Sequence, residues 1–487
     1  MPGWLPRLSQ EERLRQITDR VAREPDAVDA RFERASLLRA LGEFEPAKNE
    51  YLETVRRAPG HFGALNDLGT LLFEHGFCSA ARTAYGEAVR HHPSNPVGHV
   101  NLANLLLAAG EVDAARRHYE GALAIDPDDL HAHRGISNLL AQTGEHADAR
   151  RHRDKAYRGR SIATLPYRGA RAPVPVLLLV SALDGNIPTG ALLDDRVFLT
   201  SALVTEYWEP TCPLPPHCLI FNGIGDADLC GEALRSAGAL ADRAAVPVIN
   251  RPAAVLDTGR RANAGRLGRL PDVIAPRIAA MPRGLLLGAS ARDALASRGF
   301  TFPLLVRAPG FHTGRHFARI DAPDDLAATV ACLPGSELWV IQYVDARGGD
   351  GKARKYRIMI VDGALYPLHL AVSDHWKVHY YTADMAQSPQ HRAEDAAFLN
   401  DMGGVLGRRA VRGLEQIRDT LGLDYAGVDF ALGPAGEVVL FEANAAMTVA
   451  APTAEAKWDY RRGPVERILR AVRAMLLSRA SGAARAA

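Results

Sequence analysis

The sequence predicts a multidomain protein: an all-α solenoid of helical repeats, then an α/β domain, then an α+β domain that ends in a β-hairpin. Three observations carry this prediction. Residues of one type recur every 34 positions through the first third of the chain. Short β-rich runs then alternate with a helical stretch, the pattern of a parallel sheet with crossovers. Near the end, two apolar runs flank a tight glycine turn and carry an Asp, a Glu and an Asn on neighbouring strands.

With 487 residues the chain has room for two or three domains, each with its own core. Charged residues at 23% and hydrophobic ones at 47% are ordinary for a globular protein. A formal net charge of +2 gives no overall case for nucleic acid or membrane, so any binding charge must be local. The apolar run from Val174 to Leu183 is broken by Pro175, followed by Asp184, and too short to span a bilayer. Met1-Pro2-Gly3-Trp4 lacks the charged start and apolar core of a secretory signal. Cys78, Cys212, Cys218, Cys230 and Cys332 are scattered without a CxxC pair, as expected for reduced thiols and a cytoplasmic protein.

The repeat occupies residues 9–157. Pro25, Pro59, Pro93 and Pro127 keep the 34-residue spacing, as do Gly42, Gly76, Gly110 and Gly144. Ala47, Ala81, Ala115 and Ala149 follow it too, with Tyr51, Tyr85 and Tyr119. The period and these residue types resemble the tetratricopeptide repeat. Each unit is then a helix pair, with Gly in the turn, Ala at the close helix approach and Tyr plugging the gap to the next unit. Arg153 stands where the last unit should have its Tyr, and a helix from Ser9 to Glu24 caps the other end. By phase, the first helices line a groove with Asn66, Thr70, Asn104, Arg134 and Asn138, and Asn101 nearby. Such residues suit a peptide backbone or a C-terminal carboxylate, and they equally suit a solvated structural face. The groove lacks a Lys-rich carboxylate clamp.

Residues 158–173 read as a basic interdomain linker, closed by Pro166, Gly169 and Pro173. An α/β domain is expected over 174–283, with strands at Val174–Val180, Cys218–Phe221 and Val246–Ile249 and a helix around Asp228–Ala244. The turn from Asn222 to Asp228 follows a strand directly, where α/β sheets bind ligands, but it is not GxGxxG.

The last hairpin runs from Tyr425 to Asn444, with Gly433-Pro434-Ala435-Gly436 as its turn. Glu442 and Asn444 are two apart and share a face; if Asp429 faces the same way, three oxygen ligands converge. An oxygen-only set suits Mg²⁺ held beside nucleotide phosphates, not zinc. An ordinary hairpin with solvated acids has the same alternation. The order Asp, glycine turn, Glu-x-Asn resembles the metal-binding end of the ATP-grasp superfamily, which includes glutathione synthetase and the ribosomal-protein glutamate ligase. The likeness extends over residues 174–477, with the nucleotide-binding and catalytic part at 284–477 and a disordered tail at 478–487.

That resemblance implies roles for residues of this chain. Val248 to Pro252, then Thr258 to Asn263, resembles the junction into the nucleotide-binding part, with Arg260 and Arg261 where a Lys is usual. Arg307 stands where a strand usually ends in a phosphate-binding Lys. The following loop, with Gly310, His312, Gly314 and Arg315, would fold over the triphosphate of ATP. Gln342, Tyr343 and Val344 would form the hinge that reads adenine with its main chain. Arg357 first, and Lys355 second, would bind phosphate or the acyl intermediate, and Arg357 with Arg307 would act in catalysis. Asp429, Glu442 and Asn444 would hold Mg²⁺. His369 and His375 are candidate substrate contacts, as are His312 and Arg315; His375 and His379 have helical spacing but no third ligand for a metal. GxxxxGK[ST] is absent.

The activity implied is a carbon–nitrogen ligase: a carboxylate takes the γ-phosphate of ATP, and an amine displaces phosphate from the acyl phosphate. The substrate is expected to be a small molecule or peptide, with a protein or peptide partner for the repeat groove. A kinase on the same fold, and a non-catalytic repeat scaffold, are the alternatives.

Overall fold

The computed structural model describes residues 10–309, 316–378, 380, 383–453 and 455–486, the side chains of 10 and 483–486 excepted. The chain divides into two compact units, Met1–Arg160 and Ser161–Ala487.

The first unit is built from helix pairs. After α1 (Gln10–Arg23) come α2 (Val28–Leu41) with α3 (Phe44–Arg57), and α4 (Phe62–Glu74) with α5 (Cys78–His91). Then follow α6 (Pro96–Ala108) with α7 (Val112–Ile125), and α8 (Leu130–Gln142) with α9 (His146–Tyr157). The turn within each pair carries a glycine with φ of 84°, 83°, 81° and 88° at Gly42, Gly76, Gly110 and Gly144, the left-handed region that favours glycine. Ala47, Ala81, Ala115 and Ala149 are fully buried where the paired helices approach. A hydroxyl bond recurs with the repeat: Tyr51 donates to Ser36 Oγ at 3.3 Å, Tyr85 to Thr70 Oγ1 at 2.9 Å and Tyr119 to Asn104 Oδ1 at 2.6 Å. Each buried phenol thus ties its own helix to the first helix of its pair. A Cβ on Gly135, in the next pair, would meet the Tyr119 ring at 2.1 Å, so this tyrosine also fills the gap between repeats.

The second unit holds three sheets. The first contains β1 (Ile162–Thr164), β2 (Val174–Val180), β3 (Phe198–Val204), β4 (Leu219–Asn222) and β5 (Val248–Ile249), in the order β1-β3-β2-β4-β5. All its pairings are parallel except that of β1 with β3. The run from Val176 to Leu179 is buried throughout, as a strand covered on both faces requires. Two short strands follow, β6 (Val273–Ile274) and β7 (Ile278–Pro282). Then β8 (Leu304–Arg307), β9 (Phe317–Ile320) and β10 (Glu337–Gln342) join β7 in an antiparallel sheet of order β7-β10-β8-β9, with its own core around Leu304, Val306, Leu338 and Val340. Finally β11 (Ala353–Val361), β12 (Ala364–Ser373), β13 (Tyr425–Leu432) and β14 (Val438–Asn444) form the third sheet, ordered β12-β11-β13-β14-β6. Its core is continuous with that of the first sheet.

Several sequence expectations change here. The expected linker at 158–173 contributes β1, which pairs with β3 over Ile162 to Thr164. The final part does not begin at residue 284, because β7 already pairs with β10 and β6 with β14. The last helix runs Arg462–Ala486, through most of the expected tail. Residues around His375 are not helical, and His379 lies outside the described residues.

Buried asparagines tie the hairpin β13–β14 to the first sheet. Asn250 receives the Tyr425 amide on Oδ1 at 2.9 Å and donates to the Tyr425 carbonyl at 2.7 Å, mimicking a strand partner. Asn222 donates to the Asn250 carbonyl at 2.9 Å, and Asn263 to the Ala443 carbonyl at 2.6 Å. Each closes a polar group that burial would otherwise leave unsatisfied.

Candidate functional site

A cleft of about 1310 Å³ lies within the second unit, lined by the second and third sheets and by the turns that follow β2 and β4 of the first. Asp429 and Glu442 face each other directly across the β13–β14 ladder, and Asn444 stands two residues further along. A bulge between Asp429 and Phe430 inserts Phe441 as an extra residue, so Phe441 and Glu442 both reach the cleft. That bulge breaks simple alternation, and nothing in the sequence marks it.

The two carboxylates are gripped by cations. Arg357 binds Asp429 through two nitrogens, at 2.5 and 2.7 Å, and Lys355 Nζ lies 2.9 Å from the same group. Burial pushes the Asp429 carboxyl up, but Arg357 and Lys355 outweigh it and hold it well below the usual carboxylate range. Glu442 is met by Arg260 at 2.6 Å and by the Asn444 amide at 2.9 Å. For Glu442 too, burial acts upward and Arg260 prevails, leaving the carboxyl lowered. At the end of β8, Arg307 is half-buried in the same cleft, and desolvation plus the nearby Arg260 bring its guanidinium down to about 10.

Asp226 and Asp228 line the cleft as well, so four acids stand with the four cations Arg260, Arg307, Lys355 and Arg357. A lone divalent ion is poorly matched, since it must displace arginines from both Asp429 and Glu442. Mg²⁺ arriving with a polyphosphate fits, because the phosphates take up the released cations. Among the described residues, no group of three or more His, Cys, Asp or Glu side chains is placed to hold a metal; here the third ligand would be the amide of Asn444.

Gln342, Tyr343 and Val344, the expected hinge, line the cleft. Gln342 is already engaged: its amide donates to the Arg277 carbonyl at 2.9 Å, and its side chain accepts from the Arg277 amide at 3.2 Å. The main chain of Tyr343 and Val344 makes no hydrogen bond to another described residue, which leaves donors and acceptors there for a ligand edge. His369 is buried in the cleft wall, whereas His375 is exposed and does not line it. Gly310, His312, Gly314 and Arg315 lie outside the described residues.

Some cleft residues escaped the sequence reading. Trp339 lies under Arg260, with the guanidinium 5.6 Å from the ring centroid. Asp228 accepts from the Arg260 amide at 3.0 Å and sets the start of the helix Arg260–Leu267. Gly225 lies so close to the segment after Asn444 that a Cβ there would be 2.7 Å from Ala446 Cα. The glycine-containing turn after β4 was visible in sequence; its role as a wall of this cleft was not. Trp376, Tyr380, Trp458 and Arg461 also line it, and no motif marks them.

The tetratricopeptide repeat family matches residues 66–129 and 100–161. Among solved structures, MamA from Desulfovibrio magneticus RS-1 is 18% identical with a TM-score of 0.28, covering 30% of this chain and 83% of that one. PilF of Pseudomonas aeruginosa is 20% identical with a TM-score of 0.28, covering 30% of this chain and 69% of that one. YrrB, described as a TPR protein with an unusual peptide-binding site, is 18% identical with a TM-score of 0.27, covering 30% of this chain and 76% of that one. No curated protein matches the chain. Residues 66–161 are thus tetratricopeptide repeats, and the second unit is a mixed α/β structure. Among the described residues, no helix is long and apolar enough to cross a membrane.

Proposed function

We propose that the second unit is an ATP-dependent carboxylate–amine ligase of the ATP-grasp kind, and that the repeat groove holds a peptide or protein partner. The observation that supports the ligase reading best is the facing pair Asp429 and Glu442, with Asn444 beside them, held by Arg260, Lys355 and Arg357 and with Arg307 in the same cleft. Asp429, Glu442 and Asn444 would hold Mg²⁺, which when bound offsets charge on phosphate oxygens. Arg260, Arg307, Lys355 and Arg357 would orient the phosphates of ATP, and Tyr343 and Val344 would meet the adenine edge with their main chain. The joined carboxylate and amine would lie in the part of the cleft beyond Arg357.

Calorimetry tests this directly. Wild-type protein is expected to bind ATP only with Mg²⁺, Glu442→Ala to lose that binding, and Arg307→Ala to weaken it. Release of ADP with phosphate on neither substrate then separates a ligase from a kinase. Absence of Mg²⁺-dependent ATP binding in the wild type sinks both.

A scaffold reading has its own support: the tetratricopeptide family match falls on residues 66–129 and 100–161. In that reading the solenoid binds its partner and the cleft has no catalytic part in it. Partner capture by the full chain that is unchanged in Glu442→Ala, without ATP binding by the wild type, favours it.

A further inference from the structure

The cleft contains a second set of polar side chains that the phosphate end does not use. Arg461 is only 8% exposed, lines the cleft, and makes no hydrogen bond to another described residue. Its Nε is buried without a partner, and its nearest carboxylate oxygen, on Asp395, is 3.9 Å away. That carboxylate is already committed, accepting from the Leu370 amide and the Tyr460 hydroxyl, each at 2.7 Å. Opposite Arg357 on the β11–β12 ladder, His369 is 6% exposed, and its Nε2 is likewise buried without a partner. Both groups pack on one ring. The His369 ring lies 4.4 Å from the Tyr380 centroid, and the Arg461 guanidinium 4.3 Å from it. Trp458 is 6.3 Å from the same ring.

A buried guanidinium with no short ion pair is costly to the folded chain, and so is a buried imidazole nitrogen with no partner. A carboxylate answers the guanidinium, from which it takes two parallel bonds, and the imidazole beside the same Tyr380 ring is a further donor. The ligand's apolar body would rest on Tyr380 and Trp458, whose rings lie 6.3 Å apart in the cleft lining. We propose that Arg461 and His369 form a carboxylate-binding subsite for an organic acid with an aromatic or apolar body. The proposal deepens the ligase reading and rests on it for the subsite's role, since His369 is the ladder partner of Arg357, which grips Asp429.

The test uses the full chain without nucleotide, with N-acetyl-L-phenylalanine as probe and its neutral amide as control, followed by tryptophan fluorescence. The acid is expected to bind saturably and the amide about tenfold more weakly or worse. Arg461→Gln should abolish that preference, and Arg461→Lys should restore part of it. Circular dichroism confirms folding of each variant, and should Arg461→Gln fail to fold, Arg461→Lys and His369→Gln carry the same comparison. No saturable binding of the acid, equal affinity for acid and amide, or an undiminished preference in folded Arg461 variants overturns the subsite. Acid binding that persists in a protein unable to bind Mg²⁺ and ATP would instead overturn the ligase reading and leave the carboxylate subsite standing.

Discussion

The two units satisfy their buried polar groups in opposite ways. In the solenoid each phenol bonds a group 15 residues earlier, and the same bond is repeated at Tyr51, Tyr85 and Tyr119. In the second unit each tie is made once and between distant positions: Arg260 meets Glu442 across 182 residues, and Arg357 meets Asp429 across 72. A repeat spreads its stability over near-equivalent neighbours, whereas the cleft concentrates charge where every partner is irreplaceable. The same substitution type should therefore cost far more in the cleft.

The largest effect is expected for Asp429→Ala, which strands Lys355 and Arg357 without their shared carboxylate. Destabilisation of about 3–5 kcal/mol is expected for a broken buried pair, read by denaturant unfolding with the fluorescence of Trp208, Trp339, Trp376 and Trp458. A mild effect would show that the two cations reach solvent and that the cleft is looser than its distances imply. Next comes Gly225→Val, whose side chain must push against the Ala446 backbone; about 1–3 kcal/mol is expected from overpacking, with weaker ATP binding in calorimetry. Tyr119→Phe should cost only about 1 kcal/mol, since it removes one hydroxyl bond and leaves the ring in place. Loss of the whole helical signal in that variant would contradict a solenoid of near-equivalent units.

Acidity should separate the units further. His118, His133 and His152 are held below the usual imidazole range by burial, so the folded solenoid favours their neutral forms. The unfolded chain then takes up protons first, and their contribution is lost as pH falls through that range. Asp395 has the opposite sign. Burial pushes its carboxyl up to about 6, so the folded state holds the proton longer, and its contribution is present at low pH and lost as pH rises towards 6. Stability measured against pH should therefore show wild type gaining on His133→Gln between about pH 5 and 7, and losing ground to Asp395→Asn between about pH 4 and 6. Parallel profiles for either pair would remove that assignment.

Legibility followed the same division. The repeat helices, their turn glycines and their tyrosines were readable because 34-residue periodicity states each contact several times over. The strands β2, β4, β8, β10, β11, β13 and β14 were readable from apolar runs and turn residues. β3 was missed, as were the two-residue β6 and the alanine-containing β7, because short or mixed strands carry little pattern of their own. Asp429, Glu442 and Asn444 stood out through the spacing of the last hairpin, and Lys355 and Arg357 through the resemblance that hairpin carries; all five line one cleft. His375 had helical spacing with His379, but it lies in a non-helical segment and is exposed.

The sequence by itself determined the solenoid and the final hairpin, because each depends on contacts between residues near in the chain or repeated along it, whereas the bulge that sets Asp429 opposite Glu442 shows only in the structure. Only the tertiary structure decided that Arg260 pairs with Glu442, that Gly225 admits the segment after Asn444, and that His369 and Arg461 share the Tyr380 ring. Those contacts join positions far apart in sequence, each made once, so their partners are chosen by how the three sheets pack rather than by any local pattern.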